Sequence, residues 1–513
     1  MNDRTACNLL RNVTWHAVAP DDTGCWSDRE IRQVKQNGRR TVYFLPATAT
    51  QPALYLKHDH PKSPRDRIKC LWRCKAEKEF QSGRLLAAAN VPVVEYLAWG
   101  RRGRDSFLMS TAETVEGTAV SLWQQTTISA IHDELIVGLC ELFSSMRSGN
   151  IVHPDLHDAN IAVIKQDGRI AMKLLDVYGV RRVDRITRED TAAMTTWLQP
   201  ILDSAEPAQL NRLMCGIGLA ASDADVPDAR RCLYASASNF QRLRWPGRRG
   251  RLVRDSSLCT VEKSGASAWT LYRPSTVGEV EAAAAAHHDT IRLGGDDVLK
   301  SDVKRHVTRV PNGEGSLVVK QFVRTGICPA SVPAKRSWLN THRLALLGIP
   351  VPTARAVQRH SDSSALLILK DVGKHMLQGE LMHSESRRYR IKLLEALARL
   401  VSKLHLLSVC HADMKISNII VSDRNDSAPV LVLVDLDRIR FDRKLSAADR
   451  RRNLMQLLQS MPPRVSPLER LRFLVRYAHL TGVSREELRR HCRALADANY
   501  INSTPENTPD PIN

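Results

Sequence analysis

Apolar and polar positions alternate in short runs over the first hundred residues. Residues 41–44, 53–56, 93–98 and 107–109 carry β-branched, aromatic and leucine side chains in the pattern of half-buried strands. Between the second and third runs, residues 76–89 space their apolar side chains as a helix does. Amphipathic helices are expected at 131–146 and 191–202. The pattern then begins again. Strand-like runs at 317–319 and 366–369 enclose a helical stretch at 334–347, and helices follow at 390–405 and 449–459. Each half therefore predicts a small β-rich part followed by a helical part, an α+β chain. Between the halves, residues 223–270 hold an acidic SDADVPDARR and a basic run of turn formers, Trp245-Pro-Gly-Arg-Arg-Gly-Arg251, which we read as a junction. The expected division is a first domain at 1–235, a junction or the start of the second β-rich part at 236–270, a second domain at 271–500, and a tail at 501–513.

Length and composition narrow the class. A chain of 513 residues has room for two large domains and a full core without disulfides. The longest apolar window, 394–409, contains Glu395, Arg399, Lys403 and His405, so no membrane-spanning helix is expected. The first residues, MNDRTACNLLRN, lack the apolar stretch of a secretory signal. The eleven cysteines are odd in number and irregular in spacing, which reads as reduced thiols. Cys70 and Cys74 could share a helix face, and are read as packing rather than as a zinc site. The net charge of +20 favours a polyanionic partner: nucleic acid, an acidic membrane surface or a phosphorylated substrate. Nucleic acid is the weakest of these, because aromatics are only 5% and no reading motif is present.

The two halves share a repeat. His153-Pro-Asp155 with Asn160, followed by Asp176 at the end of an apolar run, matches His411-Ala-Asp413 with Asn418, followed by Asp435. Asp155 and Asp413 lie 258 positions apart, as do Asn160 and Asn418, while Asp176 and Asp435 lie 259 apart. Val91-Pro-Val93 matches Ile349-Pro-Val351, and Lys57 in ALYLKH matches Lys320 in SLVVKQ. Five anchors in one order indicate a duplicated domain.

These residue types suit phosphoryl transfer, in which a protein mainly positions groups and neutralises charge. Asp155 and Asp413 are the candidate catalytic bases, each placed to orient an acceptor hydroxyl and take its proton. Asn160 with Asp176, and Asn418 with Asp435, offer the hard oxygens that magnesium prefers. Lys57 and Lys320 are candidate nucleotide-phosphate contacts, and Glu79 on the 76–89 helix is the partner expected to hold Lys57. Lys415, two residues after Asp413, could reach the transferred phosphate. The second half shows no acid between Lys320 and Gly348, and Ser337 falls opposite Glu79, so Lys320 is left without an evident partner. Neither half has a G-x-G-x-x-G loop. Residues 36–41 and 299–310 are the candidate replacements, with Arg39, Arg40, Lys300 and Lys304 as phosphate contacts. Pro154 and Ala412 stand where regulated protein kinases carry an arginine that grips an activation-loop phosphate. His58 and His60 are read as solvated, the Ala282–Ala286 run with His287 and His288 as a helix with a polar end, and Trp123, Trp197 and Trp338 as packing residues. Asp449-Arg-Arg-Arg452 is read as a solvated helix face, with contact to anionic lipid as the minor reading.

With these residues in view, the chain resembles the Kdo/WaaP lipopolysaccharide core kinases of the protein-kinase-like superfamily. The first half carries the resemblance over about 37–185, through Gly38-Arg-Arg-Thr-Val-Tyr-Phe44, Tyr55-Leu-Lys-His58, Ser106-Phe-Leu-Met-Ser-Thr111 and Ala76-Glu-Lys-Glu-Phe80. The last of these gives Glu79 rather than Glu77 the helix role. The second half carries it over about 297–460, through Asp435-Leu-Asp-Arg-Ile-Arg-Phe441 and the basic helix beyond. The resemblance implies two tandem bilobal kinase-like domains, each with a small β-rich N-lobe and a helical C-lobe. It also implies ATP and Mg2+ as cofactors and a sugar hydroxyl of an anionic glycolipid as acceptor. The place of work would be the cytoplasm, at the periphery of the inner membrane. Tandem copies depart from the single-domain members. Asp437, where kinases usually carry glycine, and His157, where the second half has Lys415, are closer to aminoglycoside and choline phosphotransferases. The alternatives left open are a serine/threonine protein kinase and a non-catalytic pseudokinase scaffold.

Overall fold

Along residues 54–59 burial alternates strictly, with Leu54, Leu56 and His58 packed inward and Tyr55, Lys57 and Asp59 on the opposite face. That is what a strand with two differently covered faces requires. In the computed structural model the described residues are 7–16, 26, 28–36, 39–61, 74–264, 267–313, 315–327, 329–359, 363–423, 429–484, 486–487 and 489. The chain divides into two units, Met1–Leu233 and Tyr234–Asn513.

The first unit opens with β1 (Thr14–His16), β2 (Arg32–Gln36), β3 (Arg40–Leu45), β4 (Leu54–Asp59), β5 (Tyr96–Arg102) and β6 (Asp105–Thr111). They form one antiparallel sheet in the order β1-β5-β6-β4-β3-β2. One face packs Leu45, Leu54, Leu56, Phe107 and Met109 against Leu10 and Trp26. The other face receives α1 (Lys75–Ala88), whose Ala76 and Phe80 meet Leu108. Gly83 of α1 lies against the Tyr96 ring, where any Cβ would collide. Then α2 (Ser129–Ser148) buries Leu135, Ile136, Leu139, Leu142, Phe143 and Met146 along one stripe. Each such side chain contributes on the order of 1.5–3 kcal/mol. After it come β7 (Ile151–Val152), the hairpin β8 (Ile161–Gln166) and β9 (Arg169–Leu174), and β10 (Arg181–Arg182), which pairs with β7. Asp155 and Asn160 lie on the loop between β7 and β8, and Asp176 follows β9.

Helix α3 (Val226–Arg251) corrects the reading of 223–270 as turn-rich. Pro246 and Gly247 lie inside it. Trp245 packs against the buried cluster of Leu252 and Trp338, and Trp338 Nε1 donates to the Leu252 carbonyl at 3.0 Å. Tertiary packing here overrides the local Pro-Gly signal. The second unit's sheet already begins at β11 (Cys259–Ser264) and β12 (Ser267–Tyr272). Helix α4 (Val277–Leu293) follows, then β13 (Val298–Asp302), β14 (Arg305–Asn312) and β15 (Gly315–Val323). Next come α5 (Ser331–Leu346), β16 (Ala354–Arg359) and β17 (Ser364–Lys370). The sheet order is β11-β12-β16-β17-β15-β14-β13. Helix α4 covers one face through Val280 and Ala283, and α5 covers the other through Ala334 and Trp338. Beyond it lie α6 (Arg387–Leu406), β18 (Val409–His411), β19 (Ile419–Asp423), β20 (Val430–Leu433), β21 (Ile439–Phe441), α7 (Ala447–Gln459) and α8 (Pro467–Thr481).

Three local expectations change. The helix expected at 191–202 is interrupted: Arg188–Met194 is helical, Thr196–Leu198 is a 3-10 turn, and a new helix starts at Gln199. Pro200 has no N–H to continue the earlier helix. His58 is buried, stacked on Phe107 at 4.5 Å and bonded to Asp105 at 3.0 Å, because its alternating register turns it to the core face. His287 is no polar end either. It lies on α4 and is buried against the sheet, with Nδ1 2.7 Å from Thr308 Oγ1 and Nε2 3.3 Å from Gln321 Oε1. Cys74 is a free buried thiol, while Cys70, Gly38 and the 501–513 tail lie outside the described residues. Among the described residues, no helix is long and apolar enough to cross a membrane.

Candidate active site

In the first unit β4 presents Lys57 toward α1. Its Nζ bonds the Glu79 carboxylate and also the Leu175 carbonyl at 3.3 Å. Glu79 is fully buried. A second cation shares it: Arg40 donates to Glu79 Oε2 at 2.9 Å and, in a two-bond fork, to Asp59 at 2.8 Å for each oxygen. Arg40, expected among the phosphate contacts, is thus tied into the lysine's own network, with NH1 3.7 Å from Asp176. Burial opposes ionisation of Asp176, but Lys57 and Arg40 outweigh it and hold the carboxyl below its ordinary value.

The loop between β7 and β8 is fixed by His153. Burial lowers the His153 pKa, and the ring accepts at Nδ1 from the Asp155 N–H at 3.2 Å. Its Nε2 donates to the Asp176 carbonyl at 2.6 Å, so one imidazole joins the two aspartate segments. Asn160 donates Nδ2–H to the Asp155 carbonyl at 3.1 Å, which fixes its side chain.

The second unit builds the same loop. His411 Nδ1 accepts from the Asp413 N–H at 3.2 Å, and Asn418 Nδ2 donates to the Asp413 carbonyl at 2.9 Å. Lys415 Nζ lies 3.0 Å from Asp413 Oδ1 at the surface. Around Lys320 the arrangement differs. Contrary to the expectation from sequence, Lys320 is not without a partner. Its Nζ donates to Asp435 Oδ1 at 2.6 Å and to Asp437 Oδ1 at 2.9 Å. Arg305 joins both, with NH1 at 2.9 Å from Asp435 and NH2 at 2.5 Å from Asp437. Burial raises the Asp435 pKa, but Lys320 and Arg305 outweigh it and bring the value to about 2.

Arg40 and Arg305 are equivalent by register. Lys57 pairs across the sheet with Val42 and Lys320 with Val307, and each arginine stands two residues before that valine. Arg305 and the pairing role of Asp437 were missed in the sequence. The register to the lysine strand is the signal that could have found Arg305.

The sequence also missed what holds the second loop. Buried Asn453 of α7 donates to the His411 carbonyl at 2.7 Å and accepts from the His411 N–H at 3.3 Å. Gln456 accepts from the Met414 N–H at 3.2 Å and donates to the Ala412 carbonyl at 3.1 Å. Ser460 Oγ accepts from the Ile416 N–H at 3.0 Å. In the first unit the corresponding contact is made by Met194, whose sulfur accepts from the His153 N–H at 3.3 Å.

Magnesium fits the donors present. Asn160 and Asn418 spend their amide N–H groups on the loop, so the carbonyl oxygens are their ligand ends. Asp176 and Asp435 are held ionised. Among the described residues no three acidic, His or Cys side chains form a self-contained metal site. A cation here would take one carboxylate and one amide oxygen and complete its shell from phosphate and water, as magnesium does in nucleotide sites.

Residues 328–477 match the model of the lipopolysaccharide kinase (Kdo/WaaP) family, less than a third of the chain. The matched span contains Asp413, Lys415, Asn418, Asp435 and Asp437 but begins after Lys320. No curated protein matches the chain. Among solved structures, the chain is similar to WaaP in complex with acyl carrier protein, at 19% identity over 45% of this chain and 98% of that one, with a TM-score of 0.34. It is also similar to an aminoglycoside-3'-phosphotransferase of type VIII, at 19% identity over 41% and 98%, with a TM-score of 0.31. The match to a kinase family supports a phosphotransferase.

Proposed function

We propose that the chain is an ATP- and Mg2+-dependent kinase that phosphorylates a sugar hydroxyl of a lipopolysaccharide-type glycan, with Kdo or heptose of the inner core as the acceptor class. We read it as two tandem bilobal kinase-like domains, with the chain passing from one to the other near residues 233/234. The observation that carries the reading is the coincidence of the kinase-family match with a built constellation of Asp413, Asn418 and Asp435 in the second unit.

The side chains divide the work. Asp413, and Asp155 in the first unit, orient the acceptor hydroxyl and accept its proton as oxygen attacks the γ-phosphorus and the bond to the leaving ADP oxygen breaks. Lys320 and Lys57 neutralise nucleotide phosphates, with Glu79 holding Lys57. Lys415 lies beside Asp413 where transferred charge develops. Asn418 with Asp435, and Asn160 with Asp176, would hold magnesium, which when bound neutralises charge on the phosphates.

The partner reading is an anionic glycolipid met at the inner-membrane periphery. A groove between α6 and α8 supports it, lined by Arg387, Arg388, Lys392 and Arg472 with Glu395 and Ile391. Beside Arg472, α8 exposes Leu468, Leu471 and Val475 at helical spacing. Cations around exposed leucines suit an anionic lipid surface. The 449–452 run is a poorer candidate, because Arg452 is paired with Asp449 and Arg450 with Glu487.

The test is magnesium-dependent transfer from radiolabelled ATP to deep-rough lipopolysaccharide and to a generic protein. The enzymes are wild type, Asp155→Ala, Asp413→Ala and the double variant. Label in the glycan that vanishes in one single variant is expected, and names the working unit. Label in protein would favour a serine/threonine protein kinase, a reading that the Lys415–Asp413 pair also suits. Glycan labelling that survives in the double variant would sink the proposal.

A further inference from the structure

The helix carboxylate that holds the lysine in the first unit has no counterpart on α5. Ser337, at the position of Glu79, is buried and uncharged. We propose that Asp437 is the positioning counter-ion of Lys320, supplying from the segment after β20 what Glu79 supplies to Lys57 from helix α1. This rests on the kinase reading above.

Three observations carry it. Each unit places one lysine and one arginine on a shared buried carboxylate. Lys57 and Arg40 meet on Glu79, and Lys320 and Arg305 meet on Asp437, which is only 7% exposed. The arginines are equivalent by strand register, so the cation pair has stayed while its carboxylate has moved. Finally, the segment is shaped for this. Asp435 has φ +58°, in the left-handed region, and Asn340 of α5 donates to the Leu436 carbonyl at 2.8 Å. That turn brings the carboxylates of residues 435 and 437 to the same two cations.

The division of labour between the two aspartates follows. Both touch Lys320, Asp435 through Oδ1, and a carboxylate drawn toward a cation neutralises the lysine less. With Asp435 so engaged, Asp437 is the group left to hold Lys320 in place. Asp437 is therefore a positioning residue.

The experiment uses the full chain carrying Lys57→Ala, so that the second unit alone reports. Binding of Mg-ADP is measured by calorimetry, without turnover, alongside thermal unfolding and the KM and kcat for ATP. Asp437→Asn removes the negative charge that Lys320 and Arg305 share and should weaken Mg-ADP on the order of ten- to a hundredfold. KM for ATP should rise with it more than kcat falls. Adding Ser337→Glu to Asp437→Asn returns a carboxylate from the helix side and should recover most of the affinity. Ser337→Ala in the same background should not. A purely structural Asp437 would lose melting temperature without this rescue. Should Asp437→Asn fail to fold, the rescued double variant is still expected to fold and bind. A double variant that folds but binds no better than Lys320→Ala would overturn the assignment. Wild-type affinity in Asp437→Asn would also overturn it, and would leave the kinase reading standing. Absence of Mg-ADP binding in the Lys57→Ala parent would instead overturn that reading, and the assignment with it.

Discussion

Asn453→Leu isolates the contribution of helix α7 to the second loop. Leucine nearly matches asparagine in shape, so the change removes polarity rather than volume. It takes away the partners of the His411 N–H, at 3.3 Å, and of the His411 carbonyl, at 2.7 Å, and also the longer contact of Asn453 Oδ1 with His405 Nε2, at 3.4 Å. His411 is 1% exposed and Asn453 2%, so neither group has ready access to water. A buried polar group left unpaired costs about 1–3 kcal/mol, which gives about 2–6 kcal/mol for the two loop groups alone, and local relaxation favours the lower part of that range. At about 2–4 °C per kcal/mol, the melting transition of the second unit should fall by roughly 4–12 °C. Scanning calorimetry of wild type and variant measures it. Because Asp413 hangs from the same loop, kcat for transfer should fall while KM for ATP changes little. Asn453→Met copies the first unit's Met194 and should lose less, since the sulfur still accepts weakly. An unchanged transition together with unchanged kcat in Asn453→Leu would refute the claim that α7 holds the loop.

Glu79→Gln leaves Lys57 and Arg40 without their shared buried charge. It should destabilise the first unit by about 3–5 kcal/mol, read as a lowered melting transition, with the second unit's transition unmoved. Stability of the second unit should fall in acid through His287, whose pKa burial lowers from 6.5 to about 4, with His288 and His306 adding in the same sense. Between those values the unfolded chain binds a proton that the folded chain refuses. The effect is therefore absent above pH 6.5 and grows to about 3 kcal/mol as pH falls to 4. His287→Gln should flatten the pH dependence of the melting temperature between 6.5 and 4, and an identical slope in the variant would count against it. Co-sedimentation with phosphatidylglycerol vesicles, but not phosphatidylcholine vesicles, is expected for wild type. It should be lost in Arg387→Glu/Arg388→Glu/Arg472→Glu, and equal pelleting of both proteins would exclude the α6–α8 groove as the lipid contact.

Much of the scaffold was legible because period-2 burial and helix stripes are local signals. The β4 pattern around Lys57 and the stripe of α2 could be read directly, and so could the partnership of Lys57 with Glu79, a strand lysine and a helix glutamate. The partner of Lys320 was not legible. It lies 117 residues away and reaches the lysine only through the left-handed turn at Asp435. The α7 anchors were invisible for another reason. Asn453 and Gln456 are polar residues on a helix rich in arginine, and composition alone does not separate a polar side chain turned to water from one turned to a buried backbone. The 223–270 stretch misled in the opposite direction, since Pro246 and Gly247 are strong local breakers that the packing of Trp245 and Leu252 overcomes.

The two lysine sites differ in how a mechanical disturbance would reach them. Glu79 rides on α1, and any force that draws that helix away from the sheet takes the lysine's counter-charge with it. The first site can thus be disarmed by a pull on a helix. Asp437 is joined to Asp435 by two peptide bonds, whereas α5 packs beside that segment and bonds it through Asn340 to the Leu436 carbonyl. A shift of α5 would break that bond and still leave Lys320 between its two aspartates. The second site has the linkage of a clasp rather than of a lever.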